Sequence, residues 1–250
     1  MSEQGTLIIT GASRGIGAAT AKLAAALGYA VAVNYVHDRA AADAVVQQIA
    51  ATGGRASAIQ ADVGVEADIL RLFDEAERIF GPIRALVNNA GVVAGLCRVE
   101  AITAGQLDQV FRVNVTGSIL CAREAIRRMS TKHGGAGGVI VNISSLAACI
   151  GGAGEWVHYA ASKGAIDTFT RGLAREVAAE SIRVNAVAPG VIETDIHGTS
   201  GDPGRPQRLA PAIPMQRPGT AEEIAETIVW LLSPAASYVT GAILEAGGGR

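Results

Sequence analysis

Short apolar runs and longer amphipathic stretches alternate along this chain from end to end. The apolar runs are Thr6–Thr10, Val31–Tyr35, Ala56–Gln60, Arg84–Asn88, Val139–Ile143, Ile182–Val187 and Ala242–Glu245. Several are near-continuously apolar, the composition of strands buried on both faces of a parallel sheet. Between them, Ala18–Leu27 and Ile69–Phe80 repeat apolar residues at i, i+3 and i+4, the period of an amphipathic helix. Gln106–Met129 and Ala160–Ala179 are longer helical stretches, and Ala221–Leu232 is the last. Strand–helix alternation of this kind predicts an α/β fold: a doubly wound parallel sheet of about seven strands, with right-handed crossovers and helices on both faces. No linker, composition break or internal repeat divides the 250 residues, so 1–250 is read as one domain.

Asp195–Thr220 is the least regular stretch, interrupted by Gly198, Gly201, Pro203, Gly204, Pro206, Pro211, Pro214, Pro218 and Gly219. It is longer than an ordinary connection, which makes it either disordered or a functional lid. A short helical piece is compatible with its prolines.

Charge and cysteine usage exclude other classes. Lys+Arg 21 against Asp+Glu 23 leaves a formal net charge of -2, without the basic excess that engages nucleic acid or an anionic membrane. The longest apolar block, Leu23–Val33, is broken by Gly28 and falls far short of the roughly 18 residues of a bilayer span. Met1-Ser2-Glu3-Gln4 lacks the basic start of a secretory signal. Cys97, Cys121 and Cys149 are odd in number and show no CxxC spacing. Disulfides and a zinc site are therefore not expected, no metal is assigned, and each cysteine is read as a small core residue. A cytoplasmic protein acting on small molecules is the expectation.

The 31 glycines are about twice the usual share of roughly 7%, and some of them fall where chemistry requires them. Thr10-Gly11-Ala12-Ser13-Arg14-Gly15-Ile16-Gly17 follows an apolar strand and opens a helical pattern. Small residues there let the backbone approach a pyrophosphate, while the helix N-terminus offers unpaired N–H groups and the positive end of its dipole. The Gly11, Gly15, Gly17 spacing resembles the short-chain dehydrogenase/reductase family. Further marks of that family follow in order: Asp62-Val63, Asn88-Asn89-Ala90-Gly91, Asn114, Ser144-Ser145, Tyr159-Ala160-Ala161-Ser162-Lys163 and Pro189-Gly190. They run across essentially the whole chain. The resemblance implies a single Rossmann domain that binds a nicotinamide dinucleotide and transfers hydride between it and a carbonyl or secondary alcohol.

It also implies positions for the cofactor. Gly11, Ser13, Arg14, Gly15, Ile16 and Gly17 would hold the pyrophosphate, and Asp62 with Val63 would meet the adenine. Asn89, Ala90 and Gly91 would pass beneath a ribose, with Pro189, Gly190, Ile192 and Thr194 along the cleft. Two bland readings stay open: Asp62 as a cap for a helix beginning near Glu66, and the amides of Asn88-Asn89 as ties between strands. An NAD-selecting site carries a carboxylate at the tip of the second strand. That tip falls at Asn34 or Tyr35, and neither is charged. Arg14, aided by His37 and Arg39, could pair with a 2′-phosphate, so NADP(H) is favoured over NAD(H); otherwise Arg14 is a solvated loop residue.

Tyr159 and Lys163 stand four apart on a helical pattern and so share a face. A free phenol titrates near 10, and a neighbouring ammonium and an oxidised nicotinamide ring would both favour its phenolate. By the resemblance, Tyr159 is the general acid in reduction and base in oxidation. Lys163 lowers its pKa and holds the ribose, and Ser145 bonds the substrate oxygen. The Ser145–Tyr159 interval is one residue longer than in compact family members, with Gly151–Trp156 absorbing the difference, so Ser144 stays open for the Ser145 role. Asn114 would order a water between the lysine and solvent, or else bond to local backbone as a mid-helix asparagine does.

The substrate walls are read as Ala147–Trp156 and the 195–220 segment, with Trp156 and His158 either facing a ligand or serving as packing and rim residues. The resemblance extends to uncharacterised bacterial reductases and, more distantly, to 3-oxoacyl-carrier-protein reductases and glucose dehydrogenases. Carrier-protein reductases dock an acidic partner on basic residues. Glu180 occupies one such position, although Lys132 and His133 could compensate. A keto compound without a carrier is preferred over a 3-oxoacyl thioester. The alternative class is an idle NADP-binding sensor or scaffold. Family relatives are homotetramers built on the two long helices and the C-terminal strand region, and the same is expected here.

Overall fold

The computed structural model describes residues 4–194, 198 and 201–250. Its seven strands are β1 Thr6–Ile9, β2 Ala30–Tyr35, β3 Arg55–Gln60, β4 Ile83–Asn88, β5 Gly138–Ile143, β6 Ile182–Pro189 and β7 Ile243–Ala246. They form one sheet in the order β3-β2-β1-β4-β5-β6-β7, and every pairing is parallel. All seven apolar runs are strands. Successive side chains on β1 point to opposite faces: Leu7 and Ile9 join one core cluster, and Ile8 joins the other. β2 repeats the division with Val31 and Val33 against Ala32. Two buried faces explain why these strands are apolar without alternation.

The helices are α1 Gly15–Ala26, α2 Arg39–Ala51, α3 Glu66–Phe80, α4 Ala104–Phe111, α5 Ser118–Met129, α6 Ala147–Ile150, α7 Val157–Val177, α8 Arg205–Leu209 and α9 Ala221–Leu232. α1, α2 and α9 cover one face of the sheet, and α3, α5 and α7 cover the other. α2 is not evident from sequence periodicity, because its buried stripe is only Ala42, Val45 and Ile49. α8 is the helical piece among the prolines. Pro206 sits in its first turn, where a missing N–H costs nothing. Asp195, Ile196, His197, Thr199 and Ser200 of the expected 195–220 lid lie outside the described residues.

Gln106–Met129 is not one regular helix. α4 passes into a π-helical turn, Arg112–Gly117, before α5 begins. Close approach to the turn after β3 accompanies the change, because a Cβ on Gly117 would lie 2.5 Å from the Val63 carbonyl oxygen. π turns concentrate at functional positions, and this one carries Asn114.

Buried amides lock the sheet to its helices. Asn88 Nδ2 donates to Asn142 Oδ1 and to the Ser118 carbonyl, each at 3.0 Å, and Asn142 Nδ2 donates to Thr170 Oγ1 at 2.9 Å. The cysteines correct an expectation: only Cys121 is buried, while Cys97 is half-buried and Cys149 exposed. Cys149 lies on the one-turn helix α6, which ends at the surface beside exposed Ile150. No described helix is long and apolar enough to cross a membrane.

Candidate active site

The strand order reverses between β1 and β4, since the chain runs outward to β3 and returns to the other side of β1. Beyond the strand C-termini at such a switch point a crevice opens. Here it is a cleft of about 780 Å³.

One half is built from the glycine turn. Gly11 and Gly15 have φ of +62° and +55°, a region costly for residues with a Cβ. A Cβ on Gly17 would lie 2.6 Å from Asn89 Nδ2 and 2.7 Å from the Gly11 carbonyl oxygen. Asn89 Nδ2 donates to the carbonyls of Thr10 and Gly11 at 2.9 Å each, fastening β4 to the turn. α1 begins at Gly15, and its N-cap, Arg14, makes no side-chain cap. First-turn N–H groups therefore remain for an anion. Gly17 thus packs α1 against the turn, while the Gly11–Ile16 backbone and the first-turn N–H groups facing the cleft fit a pyrophosphate.

Asn34 anchors the turn. Its Oδ1 accepts from Gly11 N–H at 3.0 Å, and its Nδ2 donates to the Ala61 carbonyl at 2.9 Å and that of Ile59 at 3.3 Å. Arg14 and His37 are exposed on the cleft rim. Arg39 pairs with Asp43 at 3.3 Å and is not part of the cleft lining. Asp38, passed over in the sequence, reaches the rim while capping α2 through Ala41 N–H at 2.9 Å. Asp62 lines the cleft, and its Oδ1 accepts from Gly64 N–H at 2.8 Å. The cap of α3 is Val65, without a side-chain bond, so Asp62 is not that cap. Ser13, Ile16, Tyr35, Val63, Ala90, Gly91, Pro189, Gly190, Ile192 and Thr194 also line the cleft.

The other half holds the expected reacting residues. Tyr159 and Lys163 lie one turn apart on α7, 8% and 4% exposed, with Lys163 Nζ 5.6 Å from the phenol ring centre. Burial pushes the Tyr159 phenol up to about 12, opposed by a hydrogen bond from Ser145 and by the charge of Arg205. Burial brings the Lys163 ammonium down to about 8, opposed by Asp167. Its Nζ donates to the Ile143 carbonyl at 2.7 Å. The two serines part company here. Ser145 faces the phenol, whereas the Ser144 hydroxyl points back to the Lys163 carbonyl at 3.4 Å.

Asn114 is fully buried. Its Oδ1 accepts from Val92 N–H at 2.8 Å, and its Nδ2 donates to the Val92 carbonyl at 2.9 Å and to Ser162 Oγ at 3.0 Å. Gly91 runs between two of these groups: a Cβ there would lie 3.5 Å from both Asn114 Oδ1 and Lys163 Nζ. His158 is a packing residue, 3% exposed, with Nε2 2.8 Å from the Val93 carbonyl oxygen. Trp156 lines the cleft and packs with Val93, Ala147, Tyr159 and Ala160. Arg205, on α8, also lines it. No local pattern in the glycine- and proline-rich segment marks that residue in the sequence.

With this geometry in place, kinship can be stated. A family model described as enoyl-(acyl carrier protein) reductase matches residues 11–250. An uncharacterised oxidoreductase, YgfF of Escherichia coli, is 52% identical over 243 residues, covering 97% of this chain and 98% of that protein. A short-chain dehydrogenase/reductase from Serratia marcescens superposes with a TM-score of 0.91 at 36% identity, covering 99% of this chain and 98% of that one. The 3-ketoacyl-(acyl-carrier-protein) reductase of Brucella melitensis, solved with NADH, gives 0.91 at 33% identity with the same coverage. The chain belongs to the short-chain dehydrogenase/reductase family and is an oxidoreductase of that class.

Proposed function

We propose that this protein is an NADP(H)-dependent oxidoreductase that interconverts a small carbonyl compound and its secondary alcohol, with Tyr159 as general acid and base. The observation that supports this reading is that Ser145, Tyr159 and Lys163 line the same cleft as the Gly11–Ile16 turn. The dinucleotide, when bound, supplies or accepts the hydride. Gly11, Gly15, Gly17 and the first turn of α1 hold its pyrophosphate, with Asp62 toward the adenine. Lys163 holds the ribose, Ser145 holds the substrate oxygen, and Tyr159 delivers or removes the proton on that oxygen. Asn114 keeps the Val92 wall in place and orders a water that links Lys163 to solvent. Steady NADPH oxidation with a panel of diketones, aldehydes and oxoesters tests the reading. Tight NADPH binding with no turnover of any of them would make the chain a sensor instead.

The preference for NADP(H) rests on a cleft rim where Arg14 and His37 are exposed and the uncharged Asn34 is already engaged with backbone. Asp38 is the counterweight, but it is committed to capping α2. A charge-assisted hydrogen bond contributes about 1.5–3 kcal/mol. Arg14→Ala should therefore lower the NADPH:NADH ratio of kcat/KM by about tenfold or more, through the NADPH value. A ratio that favours NADH in the unaltered protein, and stays there in the variant, would reverse the assignment.

A substrate free of carrier protein fits better than an acyl-carrier thioester. Glu180 is acidic where a docking cation is needed, and it accepts from Ser130 Oγ at 2.5 Å. A homotetramer is proposed from two surfaces: the half-buried edge strand β7, and exposed Leu107, Phe111 and Ile119 along α4 and α5. Sedimentation at micromolar concentration should give a tetramer, and a monomer there would refute it.

A further inference from the structure

Arg205 is costly where it stands. It is 8% exposed, beside the apolar cluster of Val93, Ala147, Trp156, Tyr159 and Ala160. A buried charge is tolerated only when paired and hydrogen-bonded. Here Nη2 donates to Glu155 Oε2 at 2.5 Å, while Nε is buried with no partner. Glu155 thus takes one of five N–H donors, and its own side chain is 36% exposed, free to turn outward. The guanidinium carbon lies 4.0 Å over the Trp156 ring, which fixes the plane of the fork, and a fixed fork suits bidentate recognition of a carboxylate. Trp156 in turn meets Tyr159 edge-on, with ring centres 5.9 Å apart. The charge of Arg205 is therefore one ring away from the acid/base, near enough to lower the pKa of the phenol.

We infer that Arg205 determines specificity, and that the substrate is a keto acid whose carbonyl sits at Ser145 and Tyr159 while its carboxylate, a few bonds away, takes the guanidinium from Glu155. The apolar wall of Val93, Ala147 and Trp156 receives the remainder. This inference rests on the carbonyl chemistry proposed above and adds the charge of the substrate. The bland alternative is that the Arg205–Glu155 pair merely latches two walls of the cleft together.

Benzoylformate and its methyl ester, nearly equal in shape and different in charge, separate these possibilities. Their binding to the protein in the presence of NADP+ is measured by calorimetry, which does not require turnover. The acid should bind at least about tenfold more tightly than the ester. Arg205→Gln should erase that preference by weakening the acid alone, Arg205→Lys should retain part of it, and Glu155→Gln, which removes the competing carboxylate, should strengthen the acid. Equal or weaker binding of the acid to the unaltered protein would overturn the inference. So would a preference that survives Arg205→Gln, or an equal loss for both ligands in Arg205→Gln and Glu155→Gln, as a latch requires. Failure of the carbonyl chemistry shows separately, as binding without NADPH oxidation by either compound.

Discussion

Replacing Tyr159 by phenylalanine should lower kcat by about 10²- to 10⁴-fold, the range for removal of a positioned general acid, while NADPH binding stays within a few-fold. The separation is expected because only the hydroxyl is lost. The ring keeps its edge-on contact with Trp156 and its place 5.6 Å from Lys163 Nζ. A phenol pushed up to about 12 is protonated at neutral pH, the form needed to reduce a carbonyl. Running the reaction toward the ketone needs the ionised form, which Ser145 and Arg205 favour here. The oxidation rate should therefore climb with pH, whereas the reduction rate changes little across neutrality. Phenylalanine at this position with undiminished turnover would remove Tyr159 from the chemistry altogether.

The second large effect concerns Lys163, and it has two faces. Lys163→Met should abolish most turnover, yet make the cofactor-free protein more stable at pH 7. The folded-state value of about 8 lies below the ordinary 10.5 of a lysine, so below pH 8 folding buries a charge that the unfolded chain keeps in water. That cost amounts to about 3 kcal/mol. Losing the charge-assisted hydrogen bond to Ile143 offsets about 1.5–3 kcal/mol of the gain, leaving the variant ahead by at most about 1.5 kcal/mol. The sign follows from proton counts. Between pH 8 and 10.5 the unfolded chain binds more protons than the folded one, so the unaltered protein gains stability as pH rises, and above 10.5 the penalty is gone. Urea midpoints across that window should converge and then cross, because the variant still lacks the bond to Ile143 once the penalty is gone. A variant less stable than the parent at pH 7, or a pH-independent gap, would show that Lys163 sits at no such disadvantage. A variant that is more stable at pH 7 and inactive would instead mark the ammonium as one kept for the proposed reaction at a cost to the fold.

The fold was largely legible because a sheet buried on both faces writes itself as short apolar runs. Val139-Ile140-Val141 permits no solvent-facing strand, and the glycine turn after β1 announces the switch-point cleft. The π-helical turn was not legible. Arg112–Gly117 contains one glycine, which sequence alone reads as a tolerated helix position, and only the approach of Gly117 to Val63 in space reveals the changed turn. Ser144 and Ser145 are likewise equivalent in sequence and differ only in orientation once β5 ends. Arg205 was hidden for another reason. Its meaning comes from Trp156 and Glu155, fifty residues earlier in the chain, and a segment rich in glycine and proline offers no period on which to place it.

The contact between Gly17 and Asn89 also bears on how this chain can change over generations. Any side chain at position 17 would displace the amide that spans the two turn carbonyls. Trimming position 89 first would leave those carbonyls unfastened. Neither position can drift alone, and a double change must pass through a weakened ancestor. The nucleotide half of the cleft is thus held by mutual constraint, whereas the Glu155–Arg205 pair can be dismantled in one order, the buried arginine first, because the partly exposed carboxylate is then left to water. New substrates can therefore be reached without unmaking the cofactor site.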